Sequence, residues 1–201
     1  ASFEKFNMPL EKMTKSYFDD GADIVMFSGD KLLGGPQSGV IAGKKKYIDL
    51  IKKNSLYRVL RAGKITFSLL EGILRTYKTE TSFFNQNLAL ELLSRSRALL
   101  KSFGEEVLSK VPSKIIKKYN ISLIDTMVEA GSGAMPINSI ESMGIMFNKN
   151  KVSPNKLSQN FRNASTPIIG YIKNQKYIID LKAIPEDCLD DLSKIISETL
   201  L

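Results

Sequence analysis

Histidine is absent from this 201-residue chain, and cysteine occurs once, at Cys188. These two shortages exclude zinc fingers, iron–sulfur centres and Ser-His-Asp or Cys-His chemistry built from these residues alone. Proton transfer is left to lysine, carboxylate, tyrosine or water. A single cysteine allows no intrachain disulfide framework and fits a reducing cytoplasm. Cys188 itself is expected to begin and pack against a terminal helix. No apolar run is long enough for a membrane span, and no basic-then-apolar signal pattern opens the sequence. Repeats, low-complexity tracts and heptad arrays are also missing. Acidic residues are outnumbered, 21 against 29 Lys plus Arg, for a formal charge of +8 and a pI near 9.4. That surplus favours anionic partners such as nucleic acid, phosphate esters or oxyanions. The clusters Lys44-Lys45-Lys46, Lys52-Lys53 and Lys117-Lys118 read equally well as solvated helix faces and ends.

What is present concentrates in Phe27-Ser28-Gly29-Asp30-Lys31-Leu32-Leu33-Gly34-Gly35-Pro36-Gln37. Apolar strands are expected on either side, over 23–27 and 38–42. The first would deliver Lys31 to a fixed place, the glycines would let backbone approach a ligand, and Pro36 would stiffen the exit. A lysine at a strand end among apolar neighbours can lose its hydration and its proton, as an imine-forming lysine must. By spacing alone, the same pattern is a hairpin or crossover carrying a solvated lysine. A P-loop is excluded, because no Gly-Lys-Ser/Thr follows the four-residue spacer. Gly131-Ser132-Gly133 lacks a following helix signature and reads as a turn.

The complete string is more specific than its spacing. Ser28-Gly29-Asp30-Lys31-Leu32-Leu33-Gly34-Gly35-Pro36-Gln37 closely resembles the pyridoxal phosphate (PLP) lysine segment of the bacterial selenocysteine synthase family. These are the L-seryl-tRNA(Sec) selenium transferases, fold-type-I PLP enzymes. The likeness continues through Arg58-Val59-Leu60-Arg61-Ala62-Gly63-Lys64 and, more loosely, to the C-terminus. The resemblance implies that Lys31 forms the Schiff base with PLP. Once exchanged for a substrate amine, the freed Lys31 amine is the natural base, and its neighbour Asp30 either orients it or serves as a turn side chain bonding its own backbone. It implies a Ser28 contact to the PLP phosphate, and a selenophosphate oxyanion site at Arg58 and Arg61, with Lys64 a weaker member. By spacing alone Ser28 is a strand-end serine, and the two arginines, three apart and on one face if 56–60 is helical, are a surface pair on a basic helix. Arg162 is similar in placement to a carboxylate-binding arginine of aminotransferases, though a surface role suits it better. The reaction implied is conversion of seryl-tRNA(Sec) to selenocysteinyl-tRNA(Sec) through a dehydroalanyl intermediate, in a homo-oligomer of dimers or decameric rings. Two other readings stay open on the residues. One is a fold-type-I lyase or sulfur transferase acting on a small free amino acid. The other is a non-catalytic basic module for tRNA binding or assembly.

The expected fold class is α/β of the PLP-dependent transferase type I. The end of the large PLP-binding domain would occupy 1–80, a connector helix 81–112 and a small α+β domain 113–201. The α-then-β opening reads as the tail of a βαβ series, and the chain as a C-terminal fragment or a strongly truncated relative. Apolar spacing predicts helices over 10–18, 44–53, 56–60 and 65–77, then one long helix over 88–111 stopped by Pro112. Beyond it come strands over 121–129 and 142–147 and a helix from Ser153-Pro154 to Arg162. A hairpin around Asn174-Gln175 and a closing helix over 187–200 follow. The order β-β-α-β-β-α predicts an antiparallel sheet with its helices on one face.

Overall fold

A computed structural model describes residues 12–78, 86–129, 139–148 and 152–201. The expected turn at 130–133 lies outside the described residues, as do Thr81-Ser82, which the sequence offers as a helix cap, and positions 10 and 11 of the expected 10–18 helix; positions 12 and 13 are not helical. The chain divides into two compact units. The first runs to Ser94 and also takes Glu129–Asn138, and the second holds Arg95–Val128 and Ser139–Leu201.

In the first unit, helix α1 (Thr14–Asp19) precedes strand β1 (Ile24–Ser28), which pairs antiparallel with β2 (Gly39–Gly43). The register runs from Ile24 opposite Gly43 to Ser28 opposite Gly39, and both strands lie one residue later than the expected 23–27 and 38–42. Alternation on β1 leaves Ile24 and Met26 exposed and turns Val25 and Phe27 inward, so only one face is covered. Helices α2 (Lys45–Lys53), α3 (Leu56–Leu60) and α4 (Lys64–Thr76) follow, within a residue of the expected limits. Lys52 and Lys53 close α2 where its dipole favours positive charge. Asn54 accepts from the Leu56 amide at 2.9 Å and starts α3.

The expected long helix over 88–111 is two helices, α5 (Leu88–Ser94) and α6 (Arg97–Lys110). The apolar period crosses the break undisturbed, so periodicity cannot reveal it. Ser96 takes an extended backbone, φ −71° and ψ 153°, and its side chain accepts from the Leu99 amide, capping α6. Arg95 is buried and ties the break down, donating to the Ile184 carbonyl at 2.6 Å while Lys182 donates to the Arg95 carbonyl at 2.9 Å. Pro112 does end α6. A further helix outside the expected ones, α7 (Ser113–Tyr119), starts directly after it. Asn120, left-handed at φ 45°, ends α7.

The second unit is built on a sheet of order β3-β4-β6-β5, comprising β3 (Ile121–Glu129), β4 (Ser139–Phe147), β5 (Tyr171–Lys173) and β6 (Lys176–Asp180). β6 pairs antiparallel with both β4 and β5. The expected hairpin is present, and its turn residues Asn174 and Gln175 both carry positive φ, 49° and 58°. These are the signs a two-residue turn needs to match strand twist. Helices α8 (Pro154–Arg162) and α9 (Leu189–Leu200) complete the unit, with Ser153 capping α8 through the Lys156 amide.

Every residue of the main hydrophobic cluster belongs to this second unit. Leu100, Phe103 and Val107 of α6 meet Ile145 and Phe147 of β4, Ile179 of β6, and Leu192, Ile195 and Ile196 of α9. Phe161 stacks on Tyr177 at 5.3 Å, with Phe147 tilted against both rings. Gly104 lets α6 approach this layer closely, since a Cβ there would stand 2.5 Å from Leu123.

A polar knot joins three neighbouring strands. Asp180 of β6 accepts from the hydroxyls of Ser142 on β4 at 2.6 Å and Thr126 on β3 at 2.7 Å. The β4 residue opposite Asp180 is Gly144, whose missing side chain leaves Thr126 room to reach across.

Candidate active site

Strand β1 ends at Ser28 and β2 begins at Gly39, so the lysine segment is the loop that closes this hairpin. Backbone bonds brace it at three levels. The Gly29 amide donates to the Ser38 carbonyl at 2.8 Å, the Gly35 amide to the Gly29 carbonyl at 2.8 Å, and the Gly34 amide to the Lys31 carbonyl at 2.9 Å. The last bond closes a tight turn over residues 31–34. Gly34 has φ +74°, a conformation that glycine adopts without strain. Ser38 adds a side-chain bond to the Pro36 carbonyl at 3.0 Å.

The glycines therefore serve the loop itself. The amides of Gly29, Gly34 and Gly35 are committed inside it, and Gly35 lies against Leu70 and Ile73 of α4, where a Cβ would stand 3.2 Å from Ile73. They form no row of amides open to an anion. Ser28, Asp30 and Lys31 sit along the loop entrance, all exposed.

Two side chains from elsewhere in the first unit grip the turn. The Tyr77 hydroxyl donates to the Leu33 carbonyl at 2.9 Å and lies 3.3 Å from the Leu32 carbonyl. Asn87 donates from Nδ2 to the Leu33 carbonyl at 3.1 Å and to the Tyr77 oxygen at 3.4 Å. Its Oδ1 accepts from the Leu90 amide at 3.3 Å, capping α5. Asn87 is buried, and burial pushes the Tyr77 phenol up to about 12. The phenol thus remains a donor throughout the neutral range. Neither residue stood out in the sequence. The available signal was an asparagine directly before the apolar run of α5, which is a cap pattern.

Arg58 lies within α3, and Arg61 lies one residue past its end with an extended backbone. The helix thus stops short of carrying both arginines on one face. Both are exposed, and Lys64 begins α4, also exposed. A cavity of about 880 Å³ opens beside β2, lined by Ser38, Ile41, Ile51, Leu60, Arg61 and Phe67 among others. Arg61 therefore shares a cavity wall with the loop exit, whereas Arg58 lies outside that lining. Arg162 ends α8 in the other unit and is exposed.

A family profile described as SelA, L-seryl-tRNA selenium transferase, matches residues 1–185 of this chain. The chain belongs to this family. Among curated relatives of the selenium transferase family, the L-seryl-tRNA(Sec) selenium transferase of Desulfotalea psychrophila is 30% identical over 196 residues, covering 98% of this chain. That of Clostridium botulinum strain Hall is 33% identical over 186 residues, covering 92%. The Geobacter sulfurreducens protein of the same name is 30% identical over 183 residues, covering 91%. The chain spans 42%, 40% and 40% of their respective lengths.

Among solved structures, D-glucosaminate-6-phosphate ammonia-lyase shares the fold, with a TM-score of 0.57 at 18% identity over 90% of this chain and 44% of that one. The mixed α/β architecture with antiparallel sheets is thus the class the sequence indicated. Among the described residues, no helix is long and apolar enough to cross a membrane.

Proposed function

We propose that the complete gene product is a PLP-dependent selenium transferase converting seryl-tRNA(Sec) to selenocysteinyl-tRNA(Sec), with Lys31 as its cofactor lysine. The observation that carries this reading is membership of the selenium transferase family joined to a lysine on a cross-braced hairpin loop. The donor set fits PLP. Lys31 offers a primary amine for the cofactor aldehyde, and Ser28, three residues earlier at the strand end, offers a hydroxyl for the phosphate. When bound, PLP supplies an electron sink for negative charge developing at the serine Cα.

The roles of this chain's residues follow from their chemistry. The Lys31 amine takes the proton from the seryl Cα, a task no histidine in these 201 residues can share. Asp30 orients that amine. Arg58 and Arg61 bind the tetrahedral oxyanion of selenophosphate, since guanidinium forks suit such groups and a serine esterified to tRNA has no free carboxylate to clamp. The charge of +8 steers the polyanionic tRNA. A homo-oligomer in the reducing cytoplasm completes the reading. It is supported by α4, which leaves Ile65, Phe67, Leu69 and Leu74 exposed, Ile65 at 78%.

Borohydride trapping followed by peptide mapping of the complete gene product tests the reading. A pyridoxyl group is expected on Lys31, and Lys31→Ala is expected to lose both the label and all turnover. Labelling of a different lysine sinks the assignment. Turnover of free serine or cysteine without tRNA would transfer it to another fold-type-I activity.

A further inference from the structure

We infer that Tyr77 and Asn87 are positioning residues for Lys31, gripping the backbone of its turn through the Leu32 and Leu33 carbonyls. The inference rests on the reading of Lys31 as the reacting lysine. A loop that must hold an amine in place needs more than the bond between the Gly34 amide and the Lys31 carbonyl. A lone tight turn closes one ring and leaves its two central carbonyls pointing outward. Here both carbonyls are met from outside, at 2.9 Å and 3.3 Å by Tyr77, and the first of these also at 3.1 Å by Asn87.

The grip is itself anchored. Tyr77 caps the C-terminal end of α4, and Asn87 caps α5 through the Leu90 amide. Asn87 also donates to the Tyr77 oxygen, leaving the phenol proton for the loop. The turn is therefore fastened to two helix ends, both within the first unit. Gly34 is shaped to this grip, because a Cβ there would stand 2.7 Å from Asn87 Nδ2. Two substitutions remove the donors with little change of shape. Tyr77→Phe deletes the hydroxyl. Asn87→Asp deletes the amide donor yet keeps the oxygen that caps α5.

The test uses the complete gene product. Hydrogen exchange at the Gly34 and Gly35 amides is measured without cofactor, and kcat and KM for seryl-tRNA are measured with it. Each substitution is expected to speed exchange at these amides by roughly fivefold, the effect of losing one hydrogen bond. Each should lower kcat by about tenfold or more with KM little changed, as misplacement of a reacting group does. Borohydride should still label Lys31. Unchanged exchange and unchanged kcat, with Lys31 still labelled, overturn the positioning role and leave the Lys31 reading standing. Faster exchange with normal turnover marks a purely structural contact and overturns it too. Labelling of another lysine in the unsubstituted protein overturns the Lys31 reading and this role with it. If Tyr77→Phe yields no folded protein, Asn87→Asp, with its helix cap intact, decides alone.

Discussion

Removing the Asp180 carboxylate should loosen the second unit by an amount its geometry sets. Asp180→Ala leaves the hydroxyls of Ser142 and Thr126 without their acceptor, and these residues are 1% and 9% exposed. It also removes the carboxylate that accepts from the Lys182 amide at 3.1 Å. A buried donor left unsatisfied costs about 1–3 kcal/mol. With partial relief as the hydroxyls rotate, the sum is about 3 kcal/mol, a large share of a typical domain stability of about 5–15 kcal/mol. Asp180→Asn keeps one acceptor oxygen, and a hydroxyl facing the new amide can turn and accept. Its cost should be about 1 kcal/mol. Urea unfolding followed by circular dichroism reads the difference. At a slope of about 2 kcal/mol/M, the alanine variant should lose about 1.5 M in midpoint and the asparagine variant about 0.5 M. In a Ser142→Ala background the Asp180→Ala cost should shrink by about 1 kcal/mol, because one stranded donor is already gone. Equal midpoints for the two Asp180 variants, or an alanine variant within about 0.3 M of the parent, would refute the knot as a source of stability.

Two further outcomes concern the first unit. Alanine at both Arg58 and Arg61 should weaken selenophosphate binding by about 1.5–3 kcal/mol per charge-assisted contact while leaving the circular dichroism unchanged; equal affinity by calorimetry returns both to the surface. Burial raises the folded Tyr77 phenol to about 12, above its ordinary value of 10.0. Its contribution is therefore fully present below pH 10 and is lost as pH rises through about 12. Tyr77→Phe should shrink the alkaline loss in a plot of unfolding midpoint against pH, leaving the share of Tyr171 and Tyr177, which burial also raises; an unchanged profile would count against the half-buried phenol.

Much of this arrangement was legible because local signals carry it. The helices at 45–53, 64–76 and 154–162 have apolar spacing near 3.6 with clear stops, and Ser153-Pro154 is a strong start signal. The break between α5 and α6 was hidden because leucines continue in phase on both sides. What interrupts the helix is a cap at Ser96 and the buried ties of Arg95 to residues nearly ninety positions away. Helix α7 is hidden because Pro112 signals a stop, although it also stands at the start of the next helix. At the site, the Lys31 string was readable as a motif, whereas its anchors were not. Tyr77 and Asn87 meet the loop only through tertiary structure, and neither residue type in isolation points to a turn more than forty positions upstream.

The grip on the lysine turn takes hold of carbonyl oxygens, and every amino acid has one. It is therefore blind to the side chains of Leu32 and Leu33, which can change without altering what Tyr77 and Asn87 hold. Tolerance to change should be divided within four residues. Positions 32 and 33 are limited only by their own packing, while Gly34 is held by both its backbone angle and the nearness of Asn87. A mutational scan of the loop would show this as a narrow peak of intolerance at Gly34 beside two permissive positions. Such a profile separates a backbone clamp from a side-chain pocket without any measurement of the reaction.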